Sequence, residues 1–324
     1  MKADRTGFKL IPAVLCLFAV AASGQEVLTI RAASAFPQGY RFSAPFEEFI
    51  EEVNRKGGGL LQIRYLGGGS KVVNPYELGQ YVRKGIVGLA LLPGAYYNNV
   101  LPEADAQKLC HKSMPELREN GGWEFINGIH EERMNVRYLG KVLDYIPFHL
   151  YMNTPPPGLD LRGLRLRVTP VYRDFFESLG ASTLRSTPSE IFTLLERRVV
   201  DGLGWPLIGL RDFGFESVVT YRVDPGFYRA DAQILMNLDL WDSLDTAQRE
   251  LLQETALRIE AKAIRYVEES AVEYSTQREA GIEAFTLQGE EAEAWLEAAY
   301  EAAWKELLVR RPETVPRLRA YCAK

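Results

Sequence analysis

The sequence predicts an α/β protein in two domains, with mixed sheets flanked by helices. Three observations carry this. A β-α-β-α-β order runs from residue 27 to residue 92, a second α/β pattern starts near His149, and the stretch from Thr246 to Ala280 contains neither Gly nor Pro. The 324 residues are 47% hydrophobic and 25% charged, enough for two cores and too apolar for disorder. A formal charge of −5 supplies no basic face, so no nucleic-acid partner is expected. Three Cys exclude a disulfide-dense scaffold and a multi-Cys zinc module. His111, His130 and His149 show no metal-binding spacing, and neither a metal nor a cofactor is expected.

Residues 1–24 set the compartment. Lys2, Arg5 and Lys9 precede an apolar stretch from Leu10 to Ala22, and Ala22 and Gly24 put small residues at −3 and −1 of a cut before Gln25. This is the layout of a secretory signal peptide; the other reading is an N-terminal membrane anchor, for which the stretch is short. Cys16 follows Leu15, where a lipid-attachment site requires a small residue. Removal of residues 1–24 takes away three basic residues and one acid, moving the formal charge from −5 to −7. The mature chain is then expected to be periplasmic and not inserted in a membrane. Cys110 and Cys322 remain. They either pair in the oxidising compartment or stay as two half-buried thiols, and the sequence leaves both open.

The elements follow in order. Val27–Ala33 is β-rich. Phe46, Phe49, Ile50 and Val53 mark one face of an amphipathic helix that ends at Gly57-Gly58-Gly59. Leu60–Leu66 is a second strand. The run Gly67-Gly68-Gly69 lacks the spacing of a nucleotide-binding loop and reads as a flexible turn. A helix from about Pro75 to Lys84 leads to the apolar strand Ile86–Leu92. The second pattern opens at His149–Met152 and is interrupted by Thr154-Pro155-Pro156-Pro157-Gly158. In the strand Leu164–Val168, alternation puts Arg165 and Arg167 on the face opposite Leu164, Leu166 and Val168. Thr187-Pro188-Ser189-Glu190 has the cap, proline and glutamate of a helix start, and Asp245 with Gln248 resembles a second capping box. If helical throughout, Thr246 to Ala280 spans about 50 Å, more than one domain. Glu290–Leu308 is a further amphipathic helix.

Asp160-Leu161-Arg162-Gly163-Leu164-Arg165-Leu166-Arg167-Val168 is followed by Phe175–Ala181 (FFESLGA), Ser189–Leu195 (SEIFTLL) and Val199-Val200-Asp201-Gly202. In this order and at these spacings the set resembles the periplasmic solute receptors of tripartite ATP-independent periplasmic (TRAP) transporters, and the first motif is similar to the family's DLKGLKIRV. The resemblance covers nearly the whole mature chain. It implies the two-lobed, type II-like periplasmic binding protein fold, with a long helix spanning both lobes. Lobe I would comprise 25–147 with about 232–262, and lobe II 148–231 with about 263–324. It also implies capture of a small-molecule carboxylate by lobe closure and delivery to TRAP membrane permease subunits, with no catalysis.

The family's ligand-binding arginine falls on Arg167, which implies a bidentate salt bridge to the ligand carboxylate. A guanidinium suits that task, because its parallel N–H donors match two carboxylate oxygens and it stays charged when desolvated. From alternation alone, a solvated arginine beside Arg165 is the competing reading. Many relatives carry asparagine where this chain has Trp205; the change implies a more apolar or differently oriented ligand and weakens sialic acid and simple C4-dicarboxylate assignments. A tryptophan packed into the hinge is the alternative. Phe148 falls near a polar contact of some 2-oxo-acid receptors. Phe36 and Tyr40, and Tyr96 and Tyr97, follow strands at their carboxyl ends, where doubly wound sheets expose ligands. Phe227 belongs to Asp224–Tyr228 (DPGFY), after the hinge segment. These aromatics either wall a pocket or pack in the core. A secreted α/β hydrolase-like enzyme is the alternative function, although no GxSxG elbow occurs. A receptor module for an ATP-driven importer or a sensor is another.

Overall fold

Two sheets organise the chain in a computed structural model that describes residues 27–70 and 72–323; the expected signal peptide, residues 1–24, lies outside them. The chain first lays down β1 (Leu28–Ser34), β2 (Leu61–Gly68), β3 (Leu89–Leu92) and β4 (Val136–Leu143), with helices α1 (Ala44–Lys56), α2 (Leu78–Arg83), α3 (Met114–Glu119) and α4 (Gly122–Met134). It then forms β5 (Pro147–Met152), β6 (Arg165–Val168), α5 (Arg173–Ser178), β7 (Ser182–Arg185), α6 (Pro188–Glu196), β8 (Gly202–Pro206), β9 (Tyr221–Asp224) and β10 (Phe227–Arg229). After β11 (Ala232–Asn237) come α7 (Leu238–Ser243), α8 (Thr246–Ala261), α9 (Arg265–Glu279), β12 (Glu283–Thr286), α10 (Gly289–Arg310) and α11 (Val315–Cys322). The first sheet has the order β2-β1-β3-β11-β4, and the second β12-β9-β5-β8-β6-β7 with β10 beside β5. The chain therefore passes between the sheets at β4–β5, at β10–β11 and along α8–α9.

Parallel pairing of β1 with β2 and β3 in the first sheet, and of β6 with β7 and β8 in the second, points these carboxyl ends toward a shared edge region. β1 and β3 are mostly or wholly buried, as the apolar runs require. The stripe Phe46, Phe49, Ile50 and Val53 is the buried face of α1. Behind the second sheet, Phe175, Phe176, Phe227, Tyr228 and Trp295 form an aromatic core, and the Trp295 indole donates to the Pro225 carbonyl at 3.0 Å.

Two expectations change. The long helix is not uninterrupted: a 3₁₀ turn, Lys262–Ile264, joins α8 to α9. The Lys262 N–H bonds to the Ile259 carbonyl, one residue short of α spacing, so the helical path tightens without ending. The capping boxes at Thr187–Glu190 and Asp245–Gln248 both form. Nor is the glycine run a loose turn. Gly67 and Gly68 end β2, Gly68 pairs with Ser34, and a Cβ on Gly68 would lie 2.0 Å from the Phe36 carbonyl oxygen. Close backbone approach, not flexibility, selects glycine there.

Cys110 and Cys322 form a disulfide, so the paired alternative holds. It fastens the end of α11 beside the 3₁₀ segment Pro102–Leu109, and the His111 N–H donates to the Cys322 carbonyl at 3.0 Å. Both cysteines are buried. The bridge closes a loop of 212 residues, and restriction of the unfolded chain by a loop of that size is worth about 5 kcal/mol. Replacing both cysteines by Ser should lower the denaturant midpoint by several kcal/mol equivalents; an unchanged midpoint would contradict this role.

Candidate functional site

A cleft of about 1070 Å³ lies between the carboxyl ends of the two sheets. From the first sheet's side come Phe36, Gln38, Tyr40, Phe42, the Gly67–Gly69 run, Asn74, Tyr76 and Tyr96; from the second come Phe148, Arg167, Thr169, Tyr172, Arg185, Ser186, Glu190, Trp205 and Phe213.

Arg167 lies at the buried end. Its residue has no solvent exposure, although its neighbour Arg165 on β6 is exposed. The alternation reading of a solvated Arg167 is therefore overturned, because the second sheet is covered on both faces at this position. Three donors hold the guanidinium. Nη1 donates to the Tyr172 hydroxyl at 3.1 Å, Nη2 to the Ser186 carbonyl at 2.7 Å and Nε to the Ser186 hydroxyl at 3.3 Å. The Tyr172 hydroxyl in turn donates to the Gly204 carbonyl. Gly204 is needed for that contact: a Cβ there would lie 2.4 Å from the Tyr172 ring. Among the described residues no carboxylate forms an ion pair with Arg167.

The motifs build this frame. The Asp201 carboxylate accepts the Arg165 N–H at 2.7 Å, and the Asp201 N–H returns to the Arg165 carbonyl, so Val199-Val200-Asp201-Gly202 locks β8 beside β6. The Leu161 N–H bonds to the Leu179 carbonyl and ties the first motif to the second. Asp160, chelated by Arg162, has its carboxyl lowered to about 2 by that side-chain pairing.

Trp205 stands on β8 with the Arg167 guanidinium 5.8 Å from its ring centroid. Phe213 and Phe215 meet the indole edge-to-face at 5.3 and 5.2 Å. It both lines the cleft and packs, and its buried N–H has no acceptor among the described residues. Phe36, Tyr40, Tyr96 and Phe148 also line the cleft. Tyr97 and Phe227 do not. The Tyr97 ring turns into the first sheet's core, where its hydroxyl bonds to His130 Nε2 at 2.9 Å and donates to Gln233. Phe227 is buried behind Phe148 and Tyr172, packed on Phe175 at 4.9 Å. Both are core residues.

Several lining residues escape the sequence reading, among them Tyr172, Ser186, Tyr76, Arg185 and Phe213. The carboxyl-end rule that singles out Phe36 and Tyr96 also points to Ser186 when applied to β7, because β6 and β7 run parallel. Tyr172 carries no such signal.

Two acids border the cleft. Thr187 donates from its N–H and its hydroxyl to Glu190, each at 2.7 Å, and these bonds hold that carboxyl below its usual range. Asp231 accepts the Gly94 N–H at 2.8 Å and Gln233 Nε2 at 3.1 Å. Burial raises its carboxyl to about 6, reinforced by Asp105 and opposed by the Gly94 N–H, Lys141 and Lys108. Among the described residues, no cluster of His, Cys, Asp or Glu is arranged to hold a metal, and no helix is long and apolar enough to cross a membrane.

Two outcomes follow from this geometry. Tyr172→Phe removes the acceptor of a buried charged donor and should cost about 1–3 kcal/mol in urea unfolding; no measurable loss would show that Ser186 alone suffices. For Asp231, the folded carboxyl binds its proton more tightly than the unfolded one. Its share of stability is therefore greatest at low pH and is lost as pH rises from about 4 through about 6. Asp231→Asn keeps the acceptor oxygen and should flatten that fall, relative to the parent, by up to about 3 kcal/mol; parallel pH–stability curves would contradict it.

Residues 158–310 match the family model described as bacterial extracellular solute-binding protein, family 7. A solute-binding protein of Verminephrobacter eiseniae is 32% identical over 102 residues, 31% of this chain and 30% of that one. One of Roseobacter denitrificans is 29% identical over 99 residues, 30% of each. The chain thus spans about 30% of the length of the curated relatives it matches. The fold similarity is far more extensive. A TRAP periplasmic solute-binding protein of Marinobacter aquaeolei in an apo open structure superposes with a TM-score of 0.77 at 20% identity, covering 92% of this chain and all of that one. One of Desulfovibrio salexigens with bound orotic acid gives 0.79 at 18%, covering 90% and 97%. An extracytoplasmic solute receptor of Bordetella pertussis binding pyroglutamic acid gives 0.79 at 15%, covering 92% and 100%.

Proposed function

We propose, for a chain whose residues 158–310 are a family 7 extracellular solute-binding segment and whose fold is that of the TRAP receptors, that it captures a small organic acid in the periplasm and hands it to TRAP membrane permease subunits. One observation carries the reading. A fully buried guanidinium, fixed by Tyr172 and Ser186 and lacking a protein carboxylate, lines a cleft between two sheets. A buried charge without a counterion is costly, and a ligand carboxylate removes that cost. Arg167 would grip the two oxygens. Phe36, Phe42, Tyr96, Phe148, Trp205 and Phe213 would cover a flat or apolar ligand body and exclude water. The orotic and pyroglutamic acids bound by the Desulfovibrio and Bordetella proteins are ring carboxylates, which agrees with such walls.

Binding without turnover is the reading, since the family matched is one of receptors and not enzymes. Each crossing between the sheets can take part in a hinge, with 25–147 and about 232–262 forming one lobe and 148–231 with about 263–324 the other. Contacts made to ligand only in the closed cleft would draw the equilibrium toward closure. Export would remove residues 1–24.

Calorimetry against a panel of small carboxylic acids tests this. Arg167→Lys keeps the charge but loses the fork geometry, and loss of the ion pair, worth about 3–5 kcal/mol, should weaken binding at least a hundredfold. Equal affinities in parent and variant, with both folded, would remove Arg167 from the site.

A further inference from the structure

Arg167 and Arg185 are the only Lys or Arg residues among those lining the cleft, and they differ in setting. Arg167 is buried and triply bonded. Arg185, the last residue of β7, is exposed, and among the described residues it has neither an ion pair nor a side-chain hydrogen bond. Its guanidinium lies flat against Tyr76 of the opposite side, 3.9 Å from the ring centroid. Tyr76 in turn stacks at 4.6 Å on Tyr96, which lines the same cleft. An aromatic face holds a guanidinium loosely, leaving its five donors free of competing acceptors. The cleft's own acids do not occupy it. Glu190 is held by Thr187, and Asp231 by Gly94 and Gln233.

Register separates the two cations. In the parallel β6–β7 pair, Arg167 is opposite Leu184 and Val168 is opposite Arg185, so the two arginines leave the sheet on opposite faces and enter the cleft from different directions. One carboxylate cannot satisfy both forks. From this geometry we infer that Arg185 is a second anion-binding residue, and that the ligand carries a second oxyanion, at the end of its body away from the carboxylate held by Arg167. The inference rests on the proposed receptor function and narrows its ligand class to acids with two separated anionic groups on a flat or apolar skeleton. Arg185 waits on Tyr76 and turns its N–H donors to the second group when the cleft is filled.

The test uses matched acids that share a skeleton and differ by one carboxylate: benzoate with its three dicarboxylate isomers, and pentanoate with glutarate. Affinities are measured by calorimetry for the parent, Arg185→Gln and Tyr76→Leu. In the parent, at least one diacid should bind about tenfold or more tightly than its monoacid, the worth of one charge-assisted hydrogen bond. Arg185→Gln should erase that preference, costing the diacid about tenfold more than the monoacid. Tyr76→Leu should leave the preference in place. No preference in the parent on any skeleton overturns the inference, as does an Arg185→Gln loss equal for mono- and diacids and reproduced by Tyr76→Leu, which would make Arg185 a strut across the cleft. Failure of the receptor reading is seen separately, as indifference of monoacid binding to Arg167→Lys.

Discussion

A guanidinium can be kept buried and charged only if its donors are engaged, and the second sheet is arranged around that requirement at Arg167. β7 supplies the Ser186 carbonyl and hydroxyl, the segment after β6 supplies Tyr172, and β8 supplies the Gly204 carbonyl that orients the Tyr172 hydroxyl. Three neighbouring pieces of chain must be in register for this to work. The Asp201 carboxylate on the Arg165 N–H and the β6–β7 pairing fix that register. The motif residues are thus explained by what they position, and the exposed Asp160–Arg162 pair contributes little beyond closing its turn.

The same requirement explains where the sequence could be read and where it could not. Strands and capped helices depend on local pattern, so α1, α6 and β6 are visible in Phe46–Val53, Thr187–Glu190 and Leu164–Val168. Alternation describes one strand with one covered face; it cannot know that β8, Tyr172 and Trp205 cover the other face, and it left Arg167 open to solvent. The resemblance to solute receptors supplied what pattern lacked. Adjacent aromatics defeat both routes. Tyr96 and Tyr97 follow the same strand, yet successive side chains diverge, one toward the cleft and one into the core beside His130 and Gln233. The disulfide and the 3₁₀ turn in the long helical path depend on distant packing and leave no local trace.

Burial also sorts the contacts that join the two halves. Behind the cleft lining, Lys108 is buried and donates to the Val171 carbonyl at 2.6 Å while paired with Asp105 at 2.8 Å. Burial raises the Asp105 carboxyl, opposed first by Lys108. Breaking such a pair would strand a charge in a medium that solvates it poorly. At the rim the joining contacts are of another kind: Tyr40 on Phe213 at 5.0 Å, Arg41 beside Glu269 at 3.4 Å and Arg185 over Tyr76. These are exposed or half-exposed, and water replaces each at little cost.

That asymmetry gives a cleft a direction in which to open. If the rim and the buried side were held equally, entry would demand loss of desolvated charge pairs, and no small acid could supply the difference. With the strong contacts behind and the weak ones at the mouth, separation at the rim costs little and reclosure over a carboxylate gains the full value of a desolvated ion pair. The aromatic walls act on the same balance. They lower the local dielectric around Arg167, so the attraction between guanidinium and carboxylate grows as water leaves. The grip is therefore weak while the mouth is open and strong once it shuts, which is the differential affinity that a capture-and-release receptor needs.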